Sequence, residues 1–182
     1  VAVFTAVISA GYRRILAAAP ALYALAMAVL VFTLAFGVKI NGARCWLNLF
    51  GVQLQPSEFA KIATILLTAR MLARPDLRAD RWPTLLQTGA IVGLPFALIV
   101  LQPDLGTALV LLPVTLAMLL VAGMRARHLA ALTACGLLLL PPAWLVLDEY
   151  QRERIRVFLD PWRDPLGSGW NKIQSELAIG SG

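Results

Sequence analysis

Residues 19–38, APALYALAMAVLVFTLAFGV, form an apolar run without a charged side chain. A helix of about 20 residues crosses the roughly 30 Å hydrocarbon core of a bilayer, so this run predicts a membrane-spanning helix. The composition agrees, since 59% of the residues are hydrophobic and the mean hydropathy is +0.76. Only 14% are charged, compared with about 25% in soluble domains. The net charge of +6 does not indicate nucleic-acid binding, because most arginines lie between the apolar runs.

The chain contains further runs of similar length and mainly apolar character. The complete spans predicted in this way are residues 19–38, 57–74, 85–102, 105–124 and 128–147. Residues 1–10 predict the trailing half of a sixth span. Only helices and closed barrels satisfy every backbone group in lipid, and continuous runs lack the alternation of barrel strands. The predicted fold class is therefore all-α, a polytopic transmembrane helix bundle.

Prolines are read by their position in these spans. Those inside spans are Pro95, Pro113, Pro141 and Pro142. Membrane helices tolerate such prolines when neighbours satisfy the carbonyls that they free, so kinks are expected there. Pro56 and Pro103 instead open spans, where a missing N–H costs nothing.

The connections between spans differ in their arginine content. The arginines of the first, third and fifth connections are Arg13, Arg14, Arg70, Arg74, Arg78, Arg81, Arg125 and Arg127. All fall on one side of the membrane, which the positive-inside rule assigns to the cytoplasm. We therefore predict a single membrane-domain fragment, with helices in 1–147 and the start of a large extracytoplasmic loop in 148–182. Because the chain begins with Val and ends in AIGSG, it is expected to be a piece of a longer protein.

Neither cysteine nor histidine indicates a metal site or a disulfide. Cys45 lies in an outer connection and Cys135 inside a span, and this difference in depth is too large for a disulfide. His128, the single histidine, is interpreted as a charge near the membrane surface beside Arg127.

The segment LQPSEFAKIA, residues 54–63, places two charges at the start of a span. Glu58 and Lys61 are three residues apart and share one helix face, where they can pair. Ionisable groups in membrane segments tend to face an interior cavity and to carry function. The structural alternative is a local ion pair that only orients the helix, with Lys61 extending to the surface.

The tripeptide of that segment returns in LQPDLGTALV, residues 101–110. Asp104 would be stabilised by the partial charge of the helix start, which by itself explains its presence. Gln102, Arg44 and Trp46 also fall at the predicted outer boundary. If these groups converge with Glu58 and Lys61, they form an anion-tolerant pocket for a phosphorylated or glycosylated lipid head group.

The tail contains a charged segment followed by two Asp-Pro steps. Residues 152–156 predict the start of a short interfacial helix, with Ile155 and Phe158 among its apolar contacts. Asp160 and Asp164, each followed by proline, predict consecutive turns. A pair of carboxylates is also compatible with glycosidase-like acid–base chemistry, but the turns explain both residues.

Three stretches together resemble a known family. They are GVQLQPSEFAKIA, LQPDLGTALV and YQRERIRVFLDPWRDPLGSGWNKIQSELAIGSG. Their order among membrane spans is similar to that in the bacterial SEDS (shape, elongation, division and sporulation) membrane proteins, which include RodA, FtsW and SpoVE. The third stretch resembles the RodA branch more than the FtsW branch.

This resemblance implies a ten-helix peptidoglycan glycosyltransferase of the bacterial inner membrane. Such a protein polymerises lipid II during cell elongation and shape maintenance, in complex with a class B penicillin-binding transpeptidase. By motif, Glu58 and Lys61 match the polar residues of the family's fourth helix. Arg44 and Trp46 match its Arg-Trp loop element, although Cys45 separates them here. No cofactor is predicted, and a requirement for a divalent cation stays open.

The resemblance also implies that the catalytic aspartate lies in a His-Thr-Asp-like motif after Gly182. The chain alone is therefore expected to be inactive, with Lys61, Glu58, Arg44, Asp104, Gln102 and Trp46 as substrate-binding or supporting residues. Two alternatives are a flippase for lipid-linked precursors and a noncatalytic scaffold for a penicillin-binding protein. A flippase would need its charges near the bilayer middle, whereas those here lie at helix starts.

Overall fold

The computed structural model describes residues 11–40, 43–49, 51–147, 149–167 and 169–181. The predicted partial span 1–10 lies outside the described residues. In chain order the elements are α1 (Tyr12–Phe36), β1 (Val38–Ile40), β2 (Ala43–Leu49), β3 (Val52–Leu54), α2 (Pro56–Leu72), α3 (Trp82–Leu101), α4 (Leu105–Val121), α5 (Ala126–Val146), α6 (Glu149–Leu159), a 3₁₀ turn (Pro161–Arg163) and α7 (Trp170–Gly180). The chain divides into two compact units, Val1–Leu132 and Thr133–Gly182.

Each complete span predicted from the sequence is a helix, α1 to α5, which confirms a helical membrane-protein fold. Two of them, α1 and α3, are long and apolar enough to cross a membrane, while α4 and residues 126–142 of α5 are shorter apolar helices. Some boundaries were wrong, since Arg127 lies in the first turn of α5 and not in a connection. Helix α1 begins at Tyr12, so Arg13 and Arg14 lie in its first turn and not in a loop, because arginine is a good helix former.

The predicted outer loop 39–56 contains a small antiparallel sheet, which the all-α prediction omitted. Strand β2 is central and pairs with β1 and with β3. Its side chains alternate, since Ala43 and Cys45 are buried and Arg44 between them is exposed. This alternation is the period of a half-buried strand. We call this end of the first unit, the described residues of 37–40, 43–49, 51–56 and 102–104, the sheet end.

Four helices of the first unit meet in one apolar core. Leu30 of α1, Ile99 of α3 and Leu111 of α4 are almost fully buried there, together with Ala60 of α2 and Ala108 of α4. Small side chains at such contacts allow helix backbones to approach closely. Van der Waals packing among these helices positions the polar groups at the sheet end.

Two prolines in this unit free carbonyls that a neighbouring helix satisfies. Pro95 has no N–H for the carbonyl of Ile91, four residues earlier, and that oxygen accepts a hydrogen bond of 2.7 Å from the Tyr23 hydroxyl of α1. Likewise, Pro20 leaves the carbonyl of Leu16 without its helical donor. Nη1 of Arg70 on α2 donates to Leu16 O at 2.8 Å and to Ala17 O at 2.7 Å.

The opposite end of the first unit, residues 73–81 and 122–128, is the arginine end. There Asp80 pairs with Arg78 at 3.1 Å and with Arg125 at 2.7 Å, joining the connections before α3 and α5. The interpretation of His128 as a surface charge was wrong. Its side chain is 3% exposed and lies edge-on to Trp82, with ring centroids 5.0 Å apart. Trp82, at the start of α3, therefore lies against a buried histidine.

The second unit is held by fewer contacts. Val157 of α6, Pro161 of the 3₁₀ turn and Ile173 of α7 are buried within it. The predicted turns are confirmed, because Pro161–Arg163 is a 3₁₀ turn and the N–H groups of Gly167 and Gly169 both donate to Asp164 O. The predicted helix at 152–156 is confirmed as part of α6.

We expect Tyr23→Phe to lower the free energy of unfolding by about 1 kcal/mol, since the Ile91 carbonyl then loses its donor. The loss should shrink in a Pro95→Ala background, where the restored N–H of residue 95 takes that carbonyl. Unfolding by SDS in mixed micelles measures both. Tyr12→Phe is the matched control, because Tyr12 is an exposed tyrosine at the start of α1. Equal losses in both backgrounds would contradict the proline link.

Asp80→Asn should destabilise the protein near neutral pH and have little effect in acid. The hydrogen bond from Arg78, with the charges of Arg78 and Arg125, holds the pKa of Asp80 below its ordinary value of 3.8, against the opposing effect of partial burial. Because the pKa of Asp80 is lower in the folded state, its ionised carboxylate stabilises the fold at pH values above the ordinary pKa. This contribution is lost as the pH falls through the lowered pKa. Asp76→Asn is the control, since Asp76 pairs with Arg74 of its own loop. It should cost less at neutral pH, and a cost equal to that of Asp80→Asn would show that Asp80 does not join two connections.

Candidate functional site

The sheet end brings together the starts of α2 and α4 and the ends of α1 and α3. Pro56 occupies the first turn of α2 after the N-cap residue Gln55, and Asp104 is the N-cap of α4. Helix starts carry a partial positive charge and unpaired N–H groups. Two such starts side by side favour negative charge at this end of the unit.

The predicted ion pair forms in the first turns of α2. Lys61 Nζ lies 2.9 Å from Glu58 Oε1, with the Lys61 side chain 20% exposed and that of Glu58 54% exposed. Pro56 opens the helix without wasting a donor, and Glu58 lies where the helix partial charge stabilises a carboxylate. Lys61, one turn deeper, is the more covered partner.

Asp104 joins two helix starts instead of contacting the ion pair. Its carboxylate accepts hydrogen bonds from Gln55 Nε2 at 2.6 Å and from the Thr107 backbone N–H at 3.4 Å. The residue is 8% exposed. Asp104 therefore both caps α4 and connects it to the start of α2. Within the described residues, no hydrogen bond or ion pair connects Asp104 to Glu58 or Lys61.

Gln102 ties α3 to α1. It is completely buried, and its Nε2 donates to the Leu30 carbonyl at 2.9 Å. Its Oε1 has no hydrogen-bond partner among the described residues. The side-chain oxygen of Gln102 is therefore a buried acceptor without a partner among the described residues of the sheet end.

Arg44 and Trp46 lie on strand β2, with Arg44 exposed and Trp46 partly buried. The stem of Arg44 passes so close to Gly37 that a Cβ added there would be 3.2 Å from Arg44 Cγ. Such a Cβ would lie closer still to Thr33 of the last turn of α1, so the absence of a side chain at Gly37 allows close packing at this helix end.

Sequence reasoning missed Gln55, although a signal was present. The tripeptide LQP occurs at 54–56 and again at 101–103, and in each case its glutamine reaches another helix. Proline disfavours the helical conformation in the residue before it, and the backbone of Gln55 is extended, with φ −104° and ψ 104°. The repetition could have identified Gln55 as the partner of Asp104.

Beside the charged pair lies an apolar groove of 340 Å³ between α1 and α2. Leu22 and Val29 of α1 and Phe59 and Leu66 of α2 line it, with Leu54 of β3 at the sheet end. Glu58 and Lys61 occupy another face of α2, since neither lines the groove. Within the described residues, no three His, Cys, Asp or Glu side chains are grouped so as to hold a metal ion.

Comparison with known proteins identifies the family of the chain. Peptidoglycan glycosyltransferase MrdB of Escherichia coli K12 is 39% identical over 168 residues, which are 90% of this chain and 44% of that protein. A chain from a study of how a peptidoglycan synthase complex coordinates polymerization and crosslinking matches with a TM-score of 0.74 and 40% identity, over 92% of this chain and 49% of that one. The rod shape determining protein RodA of Thermus thermophilus matches with a TM-score of 0.59 and 37% identity, over 69% of this chain and 42% of that one.

The chain thus spans less than half the length of the curated relative that it matches. The model of the cell cycle protein family FtsW/RodA/SpoVE matches residues 1–182. The chain belongs to the FtsW/RodA/SpoVE family of cell cycle proteins.

Proposed function

We propose that the protein is a peptidoglycan glycosyltransferase that polymerises lipid II into glycan strands during cell elongation and shape maintenance. The observation that carries this is the Glu58–Lys61 pair, placed at the start of α2 beside a second helix start. The name of the Escherichia coli relative supports the same activity. The residues of this chain are assigned to binding and electrostatic support, and the general base to a carboxylate after Gly182.

The protein crosses the bacterial inner membrane several times in this proposal. The arginine end lies in the cytoplasm, because arginine-rich connections stay on that side. The sheet end and residues 148–182 are extracytoplasmic, following the alternation of the helices along the chain. Lys61 then lies at the outer membrane boundary, where a lipid-linked sugar presents its head group.

The substrate class fits both surfaces of α2. An apolar groove lined by leucine and phenylalanine suits a polyprenyl chain, which buries hydrocarbon without needing polar partners. A lysine on another face of the same helix suits the pyrophosphate that follows the chain. Exposed Arg44 offers a second cation, with a planar donor set that matches phosphate.

The reaction transfers a glycosyl group from a lipid pyrophosphate. The 4-hydroxyl oxygen of the incoming sugar bonds to the anomeric carbon of the donor, and the bond from that carbon to the pyrophosphate oxygen breaks. The hydroxyl proton passes to the general base, and the pyrophosphate leaves with the bonding electrons. Lys61 offsets the charge that develops on the leaving group or holds the base ionised, and Glu58 orients Lys61.

Asp104, Gln102 and Gln55 act as positioning residues. They fix the starts of α2 and α4 and the ends of α1 and α3, so that Lys61 is presented from a rigid frame. Trp46 belongs to the same frame through strand β2. We assign a class B penicillin-binding protein as partner, supported by the similarity to a synthase complex that both polymerises and crosslinks.

Lys61→Ala in the full-length protein should reduce glycan polymerisation about 100-fold or more, the effect of losing one contact to developing charge. Membrane insertion should be unchanged, because the substitution removes a charge from a helix start. Polymerisation by purified protein with lipid II and its partner measures the effect.

Lys39→Ala is the matched control for that experiment, since Lys39 is an exposed lysine of the sheet end, on β1. It should retain activity. Retained activity in Lys61→Ala would remove Lys61 from the site. Transport of lipid II across liposome membranes should be the same in Lys61→Ala and in the unmodified protein, while polymerisation is lost in Lys61→Ala. That result would favour an enzyme over a flippase or a scaffold.

Gln55→Glu should reduce polymerisation roughly tenfold, as about 1.4 kcal/mol of lost alignment would. Two carboxylates then face each other between the starts of α2 and α4, and they repel. Adding Asp104→Asn places an amide donor at position 104 opposite the new carboxylate at position 55. The hydrogen bond can then form in the reverse direction, so activity should partly recover.

Gln53→Glu adds the same charge at an exposed position of β3 and should be neutral. If the double variant is no better than Gln55→Glu alone, the tie does not position the site.

A further inference from the structure

The second unit exposes more large apolar side chains than its small core explains. Phe158 is 67% exposed, Trp162 71% and Leu166 87%. The exposed apolar residues between α6 and the start of α7, which we call the tail face, are Ile155, Phe158, Leu159, Trp162, Leu166 and Trp170. An exposed apolar patch of this kind marks a surface that contacts a partner or a membrane.

The tail face belongs in part to an amphipathic helix. Ile155, Phe158 and Leu159 are spaced at i, i+3 and i+4 on α6 and share one side. Glu153 and Arg156 lie on another side, paired at 3.2 Å. A helix divided in this way suits a position along a membrane surface, with its apolar side in the acyl region and its polar side in water.

The start of α6 is fixed to the end of apolar helix α5. Arg152 Nε donates to Trp144 O at 3.1 Å, and Arg152 Nη2 donates to Leu145 O at 3.0 Å. These are carbonyls at the C-terminus of α5, which have no donor within their own helix. The tail face therefore begins where α5 ends, and it continues the apolar surface of a proposed membrane span.

The charges of α6 favour lipid over an acidic protein partner. Arg156 is occupied by Glu149 at 2.7 Å as well as by Glu153, and Arg152 lies 3.7 Å from Glu149. Paired arginines offer little attraction to an anionic surface, so apolar insertion must supply the contact. Tryptophans are the residues enriched at membrane interfaces, and both Trp162 and Trp170 are exposed.

We propose that the tail face lies in the interface of the bilayer leaflet at which α5 ends, with Phe158, Trp162 and Leu166 among the acyl chains. Lys172 connects α7 to α6 beside this face, since its ammonium group donates to the Phe158 carbonyl and lies 4.6 Å from the centre of that ring. The inference rests on the proposed span α5 and is independent of the glycosyltransferase activity.

Spin labels in the full-length protein in liposomes test this proposal. With Cys45 and Cys135 replaced, single labels are introduced by Phe158→Cys, Trp162→Cys and Leu166→Cys. Leu138→Cys on α5 reports the span, and Ser175→Cys on the opposite side of α7 from Trp170 is the matched control. Collision rates with oxygen, which concentrates in lipid, and with a nickel chelate, which stays in water, give each label's depth.

Oxygen collisions should exceed nickel collisions at 158, 162 and 166, and nickel should exceed oxygen at 175. The result should be the same in phosphatidylcholine and in phosphatidylglycerol vesicles, because Arg152 and Arg156 are paired with acidic residues of α6. Water exposure at 158, 162 and 166 with lipid exposure at 138 would overturn the proposal and leave the span intact. Protection from both reagents, or broadening between labels, would overturn it in favour of a protein partner or a second copy. Water exposure at 138 would overturn the span and the proposal together.

Discussion

The fold depends on one constraint, the lack of water in the bilayer core. A polar group placed there must find its partner in the protein or lose several kcal/mol. The structure meets this demand with side chains that cross from one helix to the next. Tyr23 takes the carbonyl that Pro95 frees, and Gln102 takes that of Leu30. Each contact satisfies a backbone group and also fixes the spacing between two helices.

The same constraint explains why the two ends of the first unit differ. At the arginine end, water and lipid head groups are close, so charged groups such as Asp80 and Arg125 can join connections. At the sheet end, a neutral amide meets a carboxylate where two helix starts lie side by side. The partial charges of those starts stabilise the Asp104 carboxylate. Among the described residues, Lys61 forms its ion pair with Glu58.

The sequence predicted those features that depend on residues close to one another along the chain. Apolar runs located α1 to α5, and the spacing of Glu58 and Lys61 predicted their contact. The sheet was missed because it lies between spans and two of its strands, β1 and β3, have only three residues each, which carry little signal of alternation. Contacts such as Gln55 to Asp104 join residues 49 positions apart. A single sequence does not determine which helix face meets which, so those partners required the structure.

The position of the ion pair bears on how it can serve a reaction. A pair buried at the bilayer middle would be held strongly, since separating it would leave two charges in hydrocarbon. Glu58 is 54% exposed, however, and partly hydrated pairs contribute only about 0–1 kcal/mol. Lys61 can therefore exchange Glu58 for a phosphate at small cost. The frame around it is held by buried amide contacts that such an exchange does not disturb. Weak pairing on a rigid support is what an electrostatic role for Lys61 requires, because the lysine must be available to the substrate and still be held in place.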